Sequence, residues 1–170
     1  MVRAWYMDSS DADQREPHMN DPPVFLKLDV LYKKTGVECF TFDAGSLKTN
    51  EDYANLKKNR GYSYEDICEI SKETLPNYDN MIAAFYTEHI HADDEIRFVV
   101  KGSGYFDVRD IDDKWIRVEV VKNDLIIVPA GLYHRFTLNT SNYIKMKRLF
   151  VDGAVWIPIN RPGADENATR

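Results

Sequence analysis

The sequence has few cysteines, no run of basic residues and no long apolar stretch. Its two cysteines, Cys39 and Cys68, stand far apart and outside any C-x-x-C pair, which argues against a disulfide framework or a thiolate metal site. Lysine and arginine are scattered along a chain of net charge −6, so a nucleic-acid-binding surface is not expected. Because no apolar stretch approaches a membrane span and the first residues lack a signal-peptide pattern, we expect an intracellular protein with no membrane partner.

What the sequence does contain is consistent with one compact domain. A chain of 170 residues, 44% of them apolar, can bury roughly 70% of its unfolded surface around a single core. No repeat or linker interrupts it, so we expect a single domain over residues 1–162. Residues 163–170 are small and polar, which is typical of a disordered tail.

Two periodicities divide the chain. Between residues 50 and 89, one-turn spacing predicts helices in EDYANLKKNR, SYEDICEI and NYDNMIAAFYTE. From residue 89 onward the period is two, which predicts strands in EIRFVV, GYFDVRD, KWIRVEVV, LIIVPAG, YHRFTLN, IKMKRLFV and VWIPI. KGSG and the other short connections between these runs read as turns, and VFLKLDVLY and VECFTFDAG can supply edge strands. The pattern predicts a mainly β protein, a small antiparallel sandwich or barrel with several N-terminal helices.

The segment EHIHADDEIRFVV places two histidines one residue apart. Side chains alternate along a strand, so residues 89, 91, 95 and 97 share a face, and His89 and His91 lie about 6.5 to 7 Å apart at Cα. Neutral imidazoles that converge in this way can bind one metal ion, and Glu95 can add a carboxylate oxygen. The alternative is a pair of exposed histidines beside an acidic turn, which is a common arrangement.

A second histidine element favours the metal site. In VPAGLYHRF, Pro129 and Gly131 predict a tight turn before a strand that carries His134 and Phe136 on one face. Three of the four histidines of the chain lie in these two elements, and His134 is expected to complete the ligand set. His18, in a polar N-terminal loop, is predicted to be structural or solvent-exposed.

The two elements together resemble the two motifs of the cupin superfamily. The first motif has the form H-x-H-x-x-x-E-x6-G and the second contains P-x-G-x-x-H, and they are matched by His89, His91, Glu95, Gly102, Pro129, Gly131 and His134. The resemblance implies a double-stranded β-helix, or jelly-roll barrel. The chain departs from the motifs at Ala83 and Asn123, where cupins carry glycine. Asn139 also stands one residue later than its counterpart in the second motif. Asn is the commonest substitute for Gly where a turn needs positive φ, so Asn123 changes little.

Within cupins, the segments HIHADDEIR, GSGYFDVRD, LPNYD, PAGLYHRFTL and MKRLFV are similar to the eukaryotic acireductone dioxygenase family, over roughly residues 3–162. This resemblance implies a methionine-salvage enzyme that cleaves 1,2-dihydroxy-5-methylthiopent-1-en-3-one, the acireductone, with dioxygen. With Fe²⁺ the implied products are formate and 4-methylthio-2-oxobutanoate. With Ni²⁺ in the same site they are 3-methylthiopropanoate, formate and carbon monoxide. It also implies one ion per monomer and a monomeric protein in the cytoplasm, with the nucleus as a second location.

Arg97 shares the face of the predicted ligands and should project into the barrel, where an unpaired guanidinium is costly. In the family the matching arginine hydrogen-bonds the substrate oxyanion, and the alternative is a structural ion pair with Asp93 or Asp94. Phe85 and Phe136 are candidates for the substrate wall, although a core role is equally natural for each. Because one fold serves many functions, a different cupin metalloenzyme and a non-catalytic metal-binding module remain alternatives.

Overall fold

The computed structural model describes residues 1–154 and 156–169. The helices within them are α1 (Leu28–Thr35), α2 (Glu51–Arg60) and α3 (Tyr78–Phe85), with 3₁₀ turns at Ala44–Thr49 and Gly163–Glu166. The strands are β1 (Arg3–Tyr6), β2 (Phe25–Leu26), β3 (Glu38–Thr41), β4 (Tyr62–Ile70), β5 (His89–Ile90), β6 (Glu95–Arg109), β7 (Trp115–Val121), β8 (Asp124–Val128), β9 (His134–Leu138), β10 (Ile144–Val151) and β11 (Ile159–Asn160). The protein is mainly β with a few helices, as predicted.

Two antiparallel sheets share the long strand β6. One sheet has the order β11-β5-β9-β6-β7-β1-β2 and uses the C-terminal half of β6. The other has the order β4-β10-β6-β8-β3 and uses the N-terminal half. The larger core cluster contains residues of both sheets, among them Phe106, Ile126 and Phe136. A single strand thus couples the two sheets around one core.

The KGSG segment, predicted as a turn, lies inside β6 and is where the strand passes from one sheet to the other. Gly102 has φ +82, and a Cβ at this position would clash with the carbonyl oxygen of Tyr143. The pairing with β10 also skips Val100. Glycine therefore allows a sharp bend that a local reading cannot distinguish from a chain reversal.

The prediction of a helix over SYEDICEI is wrong, because these residues form β4. The strand pairs with β10 from Tyr62 to Ile70 with one register shift, and Cys68 lies opposite Met146. Ile67, which the helical spacing would have placed on a buried face, is 51% exposed. Pairing with a strand about 80 residues away in sequence overrides the local periodicity.

Three further segments differ in part from the prediction. VFLKLDVLY supplies only the two-residue strand β2 and then begins α1. In the predicted strand VWIPI, Val155 lies outside the described residues, and residues 156–158 run irregularly into β11. The predicted tail begins with the 3₁₀ turn Gly163–Glu166, which is held by complete burial of Ala164 and a hydrogen bond from Tyr133 to Asp165.

None of the helices in the described part of the chain has the length and apolar character needed to cross a bilayer.

Candidate metal centre

Three buried histidines meet where β5 and β9 pair. His89 begins β5 and lies directly opposite His134, the first residue of β9. The amide of Gly131 donates to the carbonyl of His91 over 3.0 Å, which joins the predicted turn to the first histidine element. One nitrogen from each of the three rings lies within 4.8 Å of the other two. The structure thus brings together the histidines of both sequence elements in a geometry that can hold a metal ion.

Backbone carbonyls orient two of the three rings. The Nδ1 atom of His89 donates to the carbonyl of Thr87 over 2.6 Å, and Nδ1 of His134 donates to the carbonyl of Leu132 over 2.8 Å. Because a carbonyl oxygen only accepts hydrogen bonds, the proton of each neutral ring is on Nδ1. The Nε2 atoms therefore carry free lone pairs, and such carbonyl contacts commonly orient metal-binding histidines.

Burial favours the neutral forms of His89 and His91. It lowers the pKa of His89 below its ordinary value, with His134 contributing in the same direction, and it lowers the pKa of His91 to about 4. Metal binding needs unprotonated imidazole. At neutral pH these rings are therefore in the form that binds a cation.

The carboxylate of Glu95 lies against this cluster. Its Oε2 atom is 2.6 Å from Nε2 of His134, yet neither atom has a hydrogen-bond partner within the described residues. With the proton of His134 on Nδ1, both facing atoms carry lone pairs, and a cation between them would stabilise the contact. Nδ1 of His91 is likewise buried without a partner in that part of the chain. A donor set of imidazole nitrogens and one carboxylate oxygen fits a divalent transition-metal ion.

Arg97 is buried beside the cluster and pairs with Glu95. Its Nη2 atom lies 3.1 Å from Oε1 of Glu95, and Nη1 donates to the carbonyl of Ile96 over 3.0 Å. Asp94, one of the two partners considered from the sequence, instead accepts from the amide of Ala130. Burial alone would raise the pKa of Glu95, but the Arg97 guanidinium opposes this effect, and the pKa of Glu95 lies below its usual range.

A cavity of about 390 Å³ opens in front of these residues. Phe85 at the end of α3 and Phe136 on β9 both line it, and their rings meet edge to face at 6.2 Å. Phe136 also packs on Phe106 at 5.0 Å and is only 8% exposed. Both phenylalanines therefore combine a core role with a place on the cavity wall. The rest of the wall is mostly apolar and includes Ile70, Leu75, Met81 and Met146.

Trp156 is a site residue that the sequence reasoning missed. Its ring stacks on His91 at 4.1 Å with the planes only 13° apart, and Cζ of Arg97 lies 4.9 Å from the Trp156 ring centroid. It comes from the irregular segment after β10, and no local pattern distinguishes it from a core tryptophan.

His18 lies outside the cluster and is structural, one of the two roles expected for it. It is 7% exposed. Nδ1 is 2.8 Å from a carboxylate oxygen of Asp8, and Nε2 faces the carbonyls of Ala12 and Asp13 at 3.1 and 2.9 Å. These contacts fold the N-terminal loop on itself.

Comparison with known proteins shows the family of this chain. The model of the "ARD/ARD' family" matches residues 3–158. The acireductone dioxygenase of Branchiostoma floridae is 56% identical over 170 residues, covering 100% of this chain and 94% of the relative. That of Drosophila melanogaster is 53% identical over 166 residues, covering 98% of this chain and 89% of the relative.

A solved structure is also similar to this chain. The acireductone dioxygenase from Bacillus anthracis "with cadmium ion in active center" superimposes with a TM-score of 0.69 at 26% identity, covering 83% of this chain and 95% of that one. The likeness in architecture confirms the mainly β, cupin-type fold predicted from the sequence.

Proposed function

The chain belongs to the ARD/ARD' family of acireductone dioxygenases, enzymes of methionine salvage, and we propose that it binds one Fe²⁺ through His89, His91, Glu95 and His134. The observation that supports this most directly is the contact between Nε2 of His134 and Oε2 of Glu95, two buried lone-pair atoms at 2.6 Å that lack a proton donor. Ni²⁺ is the alternative ion in the same site.

The proposed reaction is cleavage of the acireductone by dioxygen to 4-methylthio-2-oxobutanoate and formate. A divalent ion held by these residues would supply a Lewis acid for the substrate oxygens. Three neutral imidazoles and one carboxylate leave a 2+ ion with a formal charge of +1. An anionic enediolate fits such a site better than a neutral diol does.

The residues around the ligands have separate roles in this proposal. Arg97 hydrogen-bonds the substrate oxyanion, because its buried guanidinium adds a second positive charge to the cavity. Phe85 and Phe136 cover the apolar part of the substrate and exclude water from its charged end. We further propose that the protein works as a monomer in the cytoplasm, with the nucleus as a second location.

The proposal is tested by rebuilding the metal-free protein with each ion. Protein loaded with Fe²⁺ should convert acireductone to formate and the 2-oxo acid. The same batch loaded with Ni²⁺ should release carbon monoxide together with 3-methylthiopropanoate and formate. If neither form consumes acireductone, another cupin enzyme or a metal-binding module replaces this proposal. If both ions gave the same products, the substrate assignment would stand, but the proposal that the metal determines the products would be rejected.

A further inference from the structure

Four side chains form a continuous stack on the outside of the sheet that carries the histidines. We call Arg109, Trp115, Arg135 and Tyr86 the outer stack. Cζ of Arg109 lies 3.9 Å from the Trp115 ring centroid, and Cζ of Arg135 lies 4.0 Å from the same ring. Arg135 is also 4.1 Å from the ring of Tyr86. Cations and aromatic rings thus alternate along the stack, which is the arrangement that the ring quadrupole favours.

Members and partners of the outer stack adjoin site residues in sequence. Arg135 stands between His134 and Phe136, and Tyr86 directly follows Phe85. At the other end, Arg109 makes two hydrogen bonds of 2.9 and 3.1 Å to Glu88, which directly precedes His89. Side chains alternate along a strand, so a residue next to an inward-facing ligand faces outward. The outer stack therefore connects the segments that carry the site.

A buried ion-pair network fixes the orientation of Arg135. Its Nε atom donates to Oδ2 of Asp107 over 2.9 Å, and Asp107 lies directly opposite it on β6. The same carboxylate accepts 2.7 and 2.9 Å hydrogen bonds from Arg117, and neither Asp107 nor Arg117 is exposed. With its guanidinium held in this way, Arg135 offers a rigid plane to the two rings that stack on it.

Helix α3 is consequently attached to β9 on both faces of the strand. Inside the cavity, Phe85 contacts Phe136 edge to face. Outside it, Tyr86 stacks on Arg135. Without the outer contact, the inner contact would be the main one that sets the distance between the helix and β9, because the remaining contact of Tyr86 is a long 3.4 Å hydrogen bond from Arg117 on β7 to its hydroxyl.

We propose that Arg135 is a positioning residue for the reaction: through the outer stack it holds His134 and Phe136 in register with His89 and Phe85. This inference rests on the proposed function, because it concerns the same site. The role needs arginine, since a lysine ammonium has no plane to stack between two rings and cannot keep the hydrogen bond from Nε to Asp107 in that position.

The test compares Arg135→Met and Arg135→Lys with the wild type, each loaded with Fe²⁺ for kinetics and with Co²⁺ for visible absorption spectroscopy. Small displacements of reacting groups are costly, so we expect kcat/KM to fall by about tenfold or more in both variants, with one metal ion still bound per chain. The Co²⁺ bands should shift, because they report the arrangement of the ligands. A matched control is Arg3→Met, since Arg3 also stacks on a tryptophan, Trp5, and pairs with an acidic residue but adjoins no site residue.

A second pair of variants covers the case in which the Arg135 variants do not fold. Tyr86→Phe keeps the ring and should keep wild-type kcat/KM, whereas Tyr86→Leu should lose about as much as Arg135→Met. Folded Arg135→Met or Tyr86→Leu protein with wild-type kcat/KM and Co²⁺ bands would overturn the proposal. An inactive wild type would instead count against the proposed function, and the Co²⁺ bands would still decide whether Arg135 positions the ligands.

Discussion

Arg97 and Glu95 form a buried ion pair on one face of β6, with Nη2 and Oε1 3.1 Å apart. The second oxygen of the same carboxylate faces His134. Glu95 therefore links Arg97 to the histidine cluster. A substitution of Arg97 or of His134 changes the charge around the Glu95 carboxylate and so affects the other residue as well. Burial of both partners makes the pair costly to break, because the remaining charge has little access to water.

Replacement of His134 tests the ligand set. His134→Ala should remove most of the bound metal and nearly all dioxygen uptake, because it deletes a nitrogen at the centre of the donor cluster. Circular dichroism should show that the fold persists, and elemental analysis measures the metal. Full metal content in this variant would contradict the assignment.

His18 provides the contrasting histidine variant. His18→Ala removes one hydrogen-bond partner of the Asp8 carboxylate and a partner of two backbone carbonyls, so it should lower the free energy of unfolding by about 1 to 3 kcal/mol. Denaturant titration measures this loss. Metal content per folded chain should stay at the wild-type value, and a loss of metal would mean that the two regions are coupled.

Arg97→Met separates binding of the substrate anion from metal binding. Methionine keeps much of the volume and apolar stem but removes the positive charge, so turnover should fall by about 10²-fold or more while the metal stays bound. Steady-state kinetics and elemental analysis of the same sample measure both. Wild-type turnover would reject the role. Unfolding of this variant would instead favour a structural ion pair between Arg97 and Glu95. The control is Arg60→Met, which removes an arginine from an exposed ion pair with Glu38 away from the cavity.

Acid should weaken the protein in part through Glu38. The hydrogen bond from Arg60 holds the pKa of Glu38 below its ordinary value, which is about 4.3. A carboxyl with a lowered folded-state pKa stabilises the fold above its ordinary pKa, and this contribution disappears as the pH falls through the folded-state pKa. Both side chains are partly exposed, so the contribution is at most about 1 kcal/mol.

Comparison of Glu38→Gln with the wild type measures that contribution. The variant should be slightly less stable at pH 6, and the difference in unfolding free energy should shrink once the pH falls below about 4.3. Metal loss in acid affects both proteins and cancels in the comparison. A difference that is constant with pH would show that the ion pair does not contribute.

Much of the candidate site could be predicted from the sequence, because these features depend on residues that are close together in the chain. Alternation predicted a common face for His89, His91, Glu95 and Arg97, and these residues line one cavity together with His134, which follows the Pro129–Gly131 turn. Asn123, which takes the place of a motif glycine, has φ +81 as expected from its role in a turn. The boundaries of α2 also agree with the prediction, because Asn50 caps its first turn and Gly61 ends it. Each of these features depends on a few neighbouring residues.

Only the tertiary structure decided the features that depend on distant partners. β4 is a strand because β10 pairs with it, and the bend at Gly102 continues β6 because β8 and β10 hold one half while β7 and β9 hold the other. Trp156 reaches His91, and Arg135 stacks between Trp115 and Tyr86, through approaches between segments 20 to 65 residues apart. Side-chain alternation specifies which face a residue takes, whereas the residue it meets there is set by long-range packing.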